Sequence, residues 1–476
     1  MTIRPWPWLP AAGSWTRRRP PATCCCLPIS PRHSVAASRA RARGTGRAGA
    51  RPERGAGLVS MLHTKHLRPF LTVVRHGNLA RASEELRRAQ SAVSRSVQEL
   101  ENRFGVALFE RSARQWLLTD FGQALHRRTE LAFTELQQAC DALCARYPES
   151  APRLRTAPFF SLAVHERRLE LLFAFTERKH ISTAAAAVGV SQPAASMALY
   201  DLEASVGVPL FDRAHAGVAL NDSGELLLAH VKRALAQLRL AGTEISALKG
   251  VIEGQVVVGA LPFSRPYVLP VAIGRVLAQH PRLQVRTLEA PMDTLVAGLR
   301  LGDVDFLVGA LPVEPLESAL VVEQLMREPM VVLARRDHPL AGAAELDLAD
   351  LMEAAWVLPR QGTPTREALG ACLAQHGLPE PQVAVESSDI SLIRGLLLET
   401  DMLSAASRQL FPHELRAGIL VELPVALAGT ERSMGILRRT QEHSSPGAQL
   451  LIEAIRQVCR DEHRRGQDQR SAAARP

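Results

Sequence analysis

The sequence predicts a mixed fold: a duplicated helical unit with a terminal β-hairpin, a long helix after each copy, and then an α/β domain of two lobes. Three observations carry this expectation. Residues 67–122 match residues 169–224 at a constant offset of 102 with no gap, and about 15 of 56 positions are identical. Both copies are followed by stretches in which apolar residues recur three and four apart. Beyond Gln255 the pattern changes to short β-branched runs alternating with amphipathic helices, as in a sheet with crossover helices.

The chain has 476 residues, 57 Lys and Arg against 48 Asp and Glu, and a formal net charge of +9. Taken whole, that charge suggests a nucleic-acid binder. Its distribution is uneven. Residues 1–60 hold eleven arginines and one acid, Glu53, so everything after them sums to −1. Residues 61–250 carry +5 and residues 251–476 carry −6, a mildly basic front and an acidic back. The Pro- and Arg-rich residues 1–60 lack apolar periodicity and are expected to be a disordered tail. An over-extended translation start, with the natural one at Met61, accounts for them; the competing reading is a basic arm on DNA phosphates. Arg17-Arg18 does not open an export signal, because Pro20-Pro21 and the Cys24-Cys25-Cys26 triplet interrupt any apolar run. No apolar run approaches the roughly 18 residues that cross a bilayer. The seven cysteines form no paired CxxC and no HExxH occurs, so no metal, cofactor or disulfide framework is expected. A reducing cytoplasm fits.

In the first copy Leu67, Phe70, Leu71 and Val74 share a helical face, Gly77-Asn78 breaks and caps, and Ala82 and Leu86 belong to a short second helix. A turn around Arg88-Ala89 leads to a third helix, Gln90 to Phe104, whose Val93, Val97, Leu100 and Phe104 recur at helical spacing. The opposite face carries Gln90, Ser91, Ser94 and Arg95. That set suits a major groove, since Gln pairs with adenine, Arg with guanine, and Ser with base edges or phosphate. Gly105 ends the helix, and residues 108–118 read as a wing hairpin that brings Arg111 and Arg114 to phosphates. The second copy offers Gln192, Pro193, Ser196 and Arg213, and Arg81 with its counterpart Thr183 completes the DNA-contacting set.

The first copy, RASEELRRAQSAVSRSVQELENRFGVALFERSARQWLLTDFG, and the second, STAAAAVGVSQPAASMALYDLEASVGVPLFDRAHAGVALNDSG, both resemble the winged helix-turn-helix of the LysR-type transcriptional regulators. The resemblance implies two all-α winged helix-turn-helix units with linker helices, then a two-lobed, periplasmic-binding-protein-like effector domain. It implies a sequence-specific transcription regulator, in the cytoplasm and associated with the nucleoid. Its partners would be double-stranded operator DNA, a small-molecule effector, further copies of the chain in a dimer or tetramer through the linker helices, and RNA polymerase. The copies depart from the family pattern in complementary ways. The first has Ala89 in place of the capping Ser and Ser91 in place of Pro, yet keeps Arg95. The second keeps Ser191-Gln192-Pro193, with Pro in the first turn where its missing N–H costs nothing, yet has Met197 in place of the Arg. Met donates no hydrogen bond, so the first unit is expected to contribute more base-specific affinity.

After the wings, Leu125, Ala132, Leu136, Ala139 and Leu143 form one apolar seam, and Leu228, Val231, Leu235, Leu238 and Ile245 another. Each seam needs a partner helix, which an internal pseudo-dimer or a dimer with four winged units would supply. The expected organisation is a tail over 1–60, a first unit with linker helix over 61–146, a flexible Pro-containing linker over 147–164, a second unit over 165–250, an effector domain over 251–460, and a disordered tail over 461–476.

In the acidic half, strands are expected at Val256–Ala260, Gln284–Leu288, Val304–Gly309, Met330–Ala334, Gln382–Val385, Met402–Ala405 and Ser433–Leu437, with helices between them and a last helix from Pro446. The stretches VVVGALPFSRPYVLPVAIGRVL, LRLGDVDFLVGAL, VVLARRDHPLA and WVLPRQGTPTRE resemble the effector domain of that family, near the galactose-binding-protein and protocatechuate-pathway regulators. The likeness covers roughly residues 62–460. Effector contacts would then fall at strand ends and helix starts: Ser264 and Arg265, Gly309 and Ala310, Thr363 and Thr365, Ser387 and Ser388. A hydroxyl beside free N–H groups at a helix start suits a carboxylate, and Arg265 favours an anionic, carboxylated metabolite, aromatic or sugar-derived. Ser264, Thr365 and Ser388 read equally as helix caps.

Two other functions compete. An α/β enzyme would need a nucleophile triad, a phosphate-cradling Gly loop or a metal spacing, and the sequence has none of these. His338 beside Pro339 reads as structural, and Asp303 after Gly302 as a turn residue. An effector-insensitive DNA-binding protein would share the winged units but leave the acidic half inert.

Overall fold

The computed structural model describes residues 64–111, 115–161, 166–214, 217–312, 320–440 and 444–473. The predicted basic tail over 1–60 lies outside them. The first unit comprises α1 (Leu67–His76), α2 (Leu79–Leu86), α3 (Gln90–Phe104) and a hairpin of β1 (Phe109–Arg111) and β2 (Trp116–Leu118), followed by the long helix α4 (Asp120–Arg146). Asn78 caps α2, its side chain accepting from the N–H groups of Ala80 and Arg81. After a short helix α5 (Ala151–Thr156), the second unit repeats the pattern with α6 (Glu166–Arg178), α7 (Ile181–Val188), α8 (Gln192–Val206), β3 (Phe211–Ala214), β4 (Gly217–Leu220) and the long helix α9 (Asp222–Leu248).

Several repeated letters acquire a physical reason here. Glu101 accepts from the N–H of Leu108 at 2.9 Å, and Glu203 from that of Leu210 at 2.8 Å, so each carboxylate ties the third helix to the start of its wing. Thr119 and Asn221 cap the long helices and also donate to Ala107 O and Pro209 O of the wings. A Cβ on Gly122 would stand 2.1 Å from Leu108 O, and one on Gly224 2.2 Å from Leu210 O. Only glycine lets the long helix press this closely on the wing.

Helices α4 and α9 pack antiparallel on each other within the chain. Leu125, Leu136 and Leu143 of one, and Val231, Leu238 and Ile245 of the other, are buried in one core shared by both units. Of the two arrangements that the seams allowed, the internal pseudo-dimer is the one seen within the chain. The flexible linker expected over 147–164 requires correction. Residues 148–161 fold into short helices because Leu154, Phe159 and Phe160 are buried in that same core. Residues 162–165 lie outside the described residues.

The acidic half contains two mixed sheets. The first comprises β5 (Gly254–Ala260), β6 (Leu283–Leu288), β7 (Phe306–Ala310), β8 (Leu320–Glu328) and β14 (Arg432–Arg439), in the order β6-β5-β7-β14-β8. Helices α10 (Val268–Gln279), α11 (Met292–Leu301) and α15 (Pro446–Ala473) cover it. The second has β9 (Val331–Arg335), β12 (Ser404–Ala406) and β13 (Leu420–Glu422) in the order β12-β9-β13. A bridge from Trp356 to Leu403 joins to it the parallel pair β10 (Trp356–Leu358) and β11 (Val383–Glu386). Its helices are α12 (Pro364–Gln375), α13 (Ile390–Glu399) and α14 (Pro412–Ala417), and it has its own buried residues around Val332, Trp356 and Leu369. The chain passes between the sheets twice, after β8 and before β14. The disordered tail expected over 461–476 is corrected as well: α15 continues to Ala473, and Asp461 and Glu462 pair with Arg275 and Arg416.

Candidate DNA interface and effector site

The third helix of each unit buries one side and exposes the other. On α3, Val93, Val97 and Leu100 face the core while Gln90, Ser91 and Arg95 are exposed and Ser94 half-buried. Ala89 makes no side-chain cap at its start. On α8, Ala195, Leu199, Leu202 and Val206 are buried and Gln192, Pro193, Ser196 and Met197 exposed, while Ser191 accepts from the N–H of Ala194 at 3.4 Å. Arg81 and Thr183 are exposed on the preceding helices, Thr183 donating to His180 O. Arg111 forms the end of β1, and Arg114 lies outside the described residues. Arg213 is exposed on the second wing, where it pairs with Glu203 at 3.1 Å and lies 5.8 Å from the centre of the Tyr200 ring.

A polar seam joins these units to the first sheet. Lys232 on α9 pairs with Asp303 at 2.6 Å, and Arg239 donates to Gly302 O at 2.7 Å. Asp305 beside them accepts from the N–H of Val257 at 2.7 Å; burial raises its pKa, and the charges of Arg239 and Arg439 oppose that rise. Asp303 and the Gly302 carbonyl thus anchor the long helix of the second unit to the effector half, while Asp305 ties this turn to β5. The sequence placed Asp303 in a turn and Asp305 in the following strand without showing what either touches.

Several expected effector residues have other tasks. Ser264 is fully buried, its hydroxyl 3.0 Å from both Leu261 O and Val308 O, so it ties two segments together instead of facing a cleft. Gly309 is buried in β7 with φ of +144°, where a Cβ would stand 2.4 Å from that of Leu261. Its identity follows from close packing. At the start of α13 the carboxylate of Asp389 takes the N–H groups of Ser391 and Leu392, and Ser387 accepts from Asp389 N. An acid occupies the end that Ser387 and Ser388 were expected to offer to an anion. Arg265 is half-buried and donates to Ala260 O at 2.8 Å, next to the half-buried Ala310 strand end.

The start of α12 differs. Thr363 donates to Arg360 O at 2.7 Å and makes no cap, and Pro364 has no N–H, so the first-turn N–H groups of Thr365 and Arg366 carry no side-chain acceptor. Against Thr365 Oγ1, at 3.4 Å, lies Nη1 of Arg432, the first residue of β14. Arg432 is half-buried; burial lowers its pKa, and it makes no ion pair among the described residues. A desolvated guanidinium and an uncapped helix start thus meet where one sheet faces the other. Sequence reading missed Arg432 because 67 residues separate it from Thr365. A second contact between the two halves stacks the Arg416 guanidinium on the Tyr267 ring, 4.3 Å from its centre.

These features can be set beside known proteins. The model of the bacterial regulatory helix-turn-helix of the LysR family matches residues 64–123 and again 167–225, and that of the LysR substrate binding domain matches residues 249–460. The HTH-type transcriptional regulator GalR of Pseudomonas putida is 42% identical over 400 residues, spanning 84% of this chain and 98% of that protein. The uncharacterized HTH-type transcriptional regulator YdcI of Escherichia coli is 33% identical over 299 residues, 62% of this chain and 96% of that protein. Among solved structures, a full-length OxyR variant of Pseudomonas aeruginosa is 25% identical with a TM-score of 0.48, covering 62% of this chain and 95% of the other. The chain belongs to the LysR family of transcription regulators. It is a DNA-binding regulator with a substrate-binding domain, not an enzyme.

Proposed function

We propose that one chain supplies both winged units of an operator-binding pair, and that a small anionic metabolite between the two lobes of the acidic half shifts the geometry of that pair. The antiparallel packing of α4 on α9 supports the first part, because it holds two helix-turn-helix units about an internal pseudo-twofold axis. The approach of Arg432 to the uncapped start of α12 supports the second. A carboxylate there would accept from the guanidinium, from Thr365 and from the free N–H groups together. Closing the lobes on such a ligand would strain the seam at Lys232–Asp303 and Arg239–Gly302, the route by which a lobe movement reaches α9. RNA polymerase and further copies of the chain remain partners through surfaces other than the linker seam.

Hydroxyl-radical footprinting of the full chain tests this reading. One chain should protect two adjacent half-sites. Arg95→Ala should cost more affinity than Gln192→Ala, and equal losses would remove the expected division of labour. A thermal-shift screen of organic acids against neutral sugars tests the effector class, which is wrong if only the sugars raise the melting temperature.

A further inference from the structure

On the second recognition helix, Pro193, Met197, Tyr200 and Ala204 recur four, three and four apart and share one exposed face. Met197 and Tyr200 are 61% and 55% exposed, high values for large apolar side chains in a folded unit. The offset of 102 assigns their counterparts on α3 as Arg95 and Gln98. The two units therefore share a core and a wing yet present opposite chemistries on the same face. α3 offers a guanidinium and an amide, whereas α8 offers a thioether and a ring and contains no Lys or Arg. Charge follows the same division. Residues 61–146 hold thirteen basic and nine acidic side chains, and residues 165–250 hold nine of each. The second unit's own residues thus add less phosphate attraction than the first unit's, and more of its discrimination falls to base contacts.

The floor of the major groove has one apolar feature, the C5-methyl of thymine. We propose that Met197 and Tyr200 read thymine methyls, so that the operator of a single chain consists of two unlike half-sites. One presents guanine and adenine acceptors to Arg95 and Gln90. The other is rich in A·T pairs, in which Gln192 takes the adenine and the Met197–Tyr200 face the methyl. Arg213, stacked near Tyr200 and paired with Glu203, holds the ring in place on the helix. This inference rests on the DNA-binding function above and adds to it the residues that make the site asymmetric.

Replacing thymine by deoxyuracil removes the methyl and leaves every hydrogen-bonding group in place. The full chain is titrated against a footprinted operator with that replacement made in one half-site at a time, the half-sites being assigned from the footprints of Arg95→Ala and Met197→Ala. Replacement in the second half-site should weaken binding about fivefold per contacted methyl, and replacement in the first should leave it unchanged. Met197→Ala should bind the thymine and deoxyuracil operators equally, Arg95→Ala should keep the difference, and Met197→Arg should shift the second half-site toward guanine. Indifference to deoxyuracil in both half-sites, or a footprint confined to one, overturns the inference, as does an unchanged thymine preference in Met197→Ala. Binding of the unsubstituted operator is the separate control: its loss in the unmodified chain would count against the DNA-binding reading itself.

Discussion

Arg128 donates to Gln237 at 2.9 Å across the two long helices, and the pair has a mate: adding 102 to one number and subtracting it from the other gives His230 and Glu135, which also meet at 2.9 Å. Reciprocal pairing of this kind is the mark of a twofold interface, here made inside one chain. The two pairs have diverged. Arg128 also reaches Glu244, and Glu135 also receives Arg233 at 2.8 Å.

The Arg128 cluster is the more buried of the two, with Arg128 only 5% exposed and Glu244 14%. Arg128→Ala takes the guanidinium from the buried Gln237 and leaves the Glu244 carboxylate with the exposed Arg127 alone, and should cost about 3 kcal/mol in chemical denaturation of the full chain. The double variant Arg128→Met with Glu244→Leu should recover most of that loss, since apolar replacement of both partners leaves no charge to desolvate. Failure of the double variant to recover would mean that the charges, not the packing, hold the helices together.

Gly122→Ala and Gly224→Ala each drive a methyl into a wing carbonyl, and each should destabilise the chain by about 2 kcal/mol. Because the clash lies between the long helix and its own wing, operator binding should fall more steeply than stability. Melting curves and footprints on the same samples separate the two effects.

Arg456 on α15 donates to both carboxylate oxygens of Glu323 on β8, at 2.6 and 2.7 Å. These bonds hold the Glu323 pKa below its ordinary 4.5, with burial opposing. A folded-state pKa below the unfolded one stabilises the fold above the unfolded value, and that stabilisation is lost as pH falls through the folded value. Glu323→Gln should therefore lower stability by about 1 kcal/mol at neutral pH and by progressively less below pH 4.5. Denaturation midpoints measured from pH 7 to pH 3 check this, and a constant difference across that range would contradict it.

Arg432→Gln removes the charge and shortens the side chain by two atoms while keeping a hydrogen-bond donor. It should weaken binding of any stabilising organic acid about tenfold or more while leaving operator affinity without ligand unchanged. Isothermal titration of that acid with both proteins gives the comparison. Equal affinities would place the anion elsewhere.

Much was legible in the residues themselves, because the signals are local or periodic. Helical spacing of Val93, Val97 and Leu100 marks a core face wherever the helix lies, and the offset of 102 exposes the duplication without any structure. The same periodicity placed seven of the ten strands described in the acidic half to within a few residues. It passed over β8, β10, β13 and α14, which are short or, like Leu320–Glu328, alternate weakly.

What the residues alone determined is that two helix-turn-helix units differ at Arg95 and Met197 and that each long helix carries a seam in need of a partner. Which partner fills it was a tertiary decision. A heptad seam specifies apolar contact but not the chain that provides it, and the buried Leu154 and Phe159 between the units bring α9 back onto α4. Tertiary structure likewise withdrew Ser264 and Gly309 from the cleft and placed Arg432 against Thr365. Those outcomes depend on how close distant segments come, and distance through space is not written in local spacing.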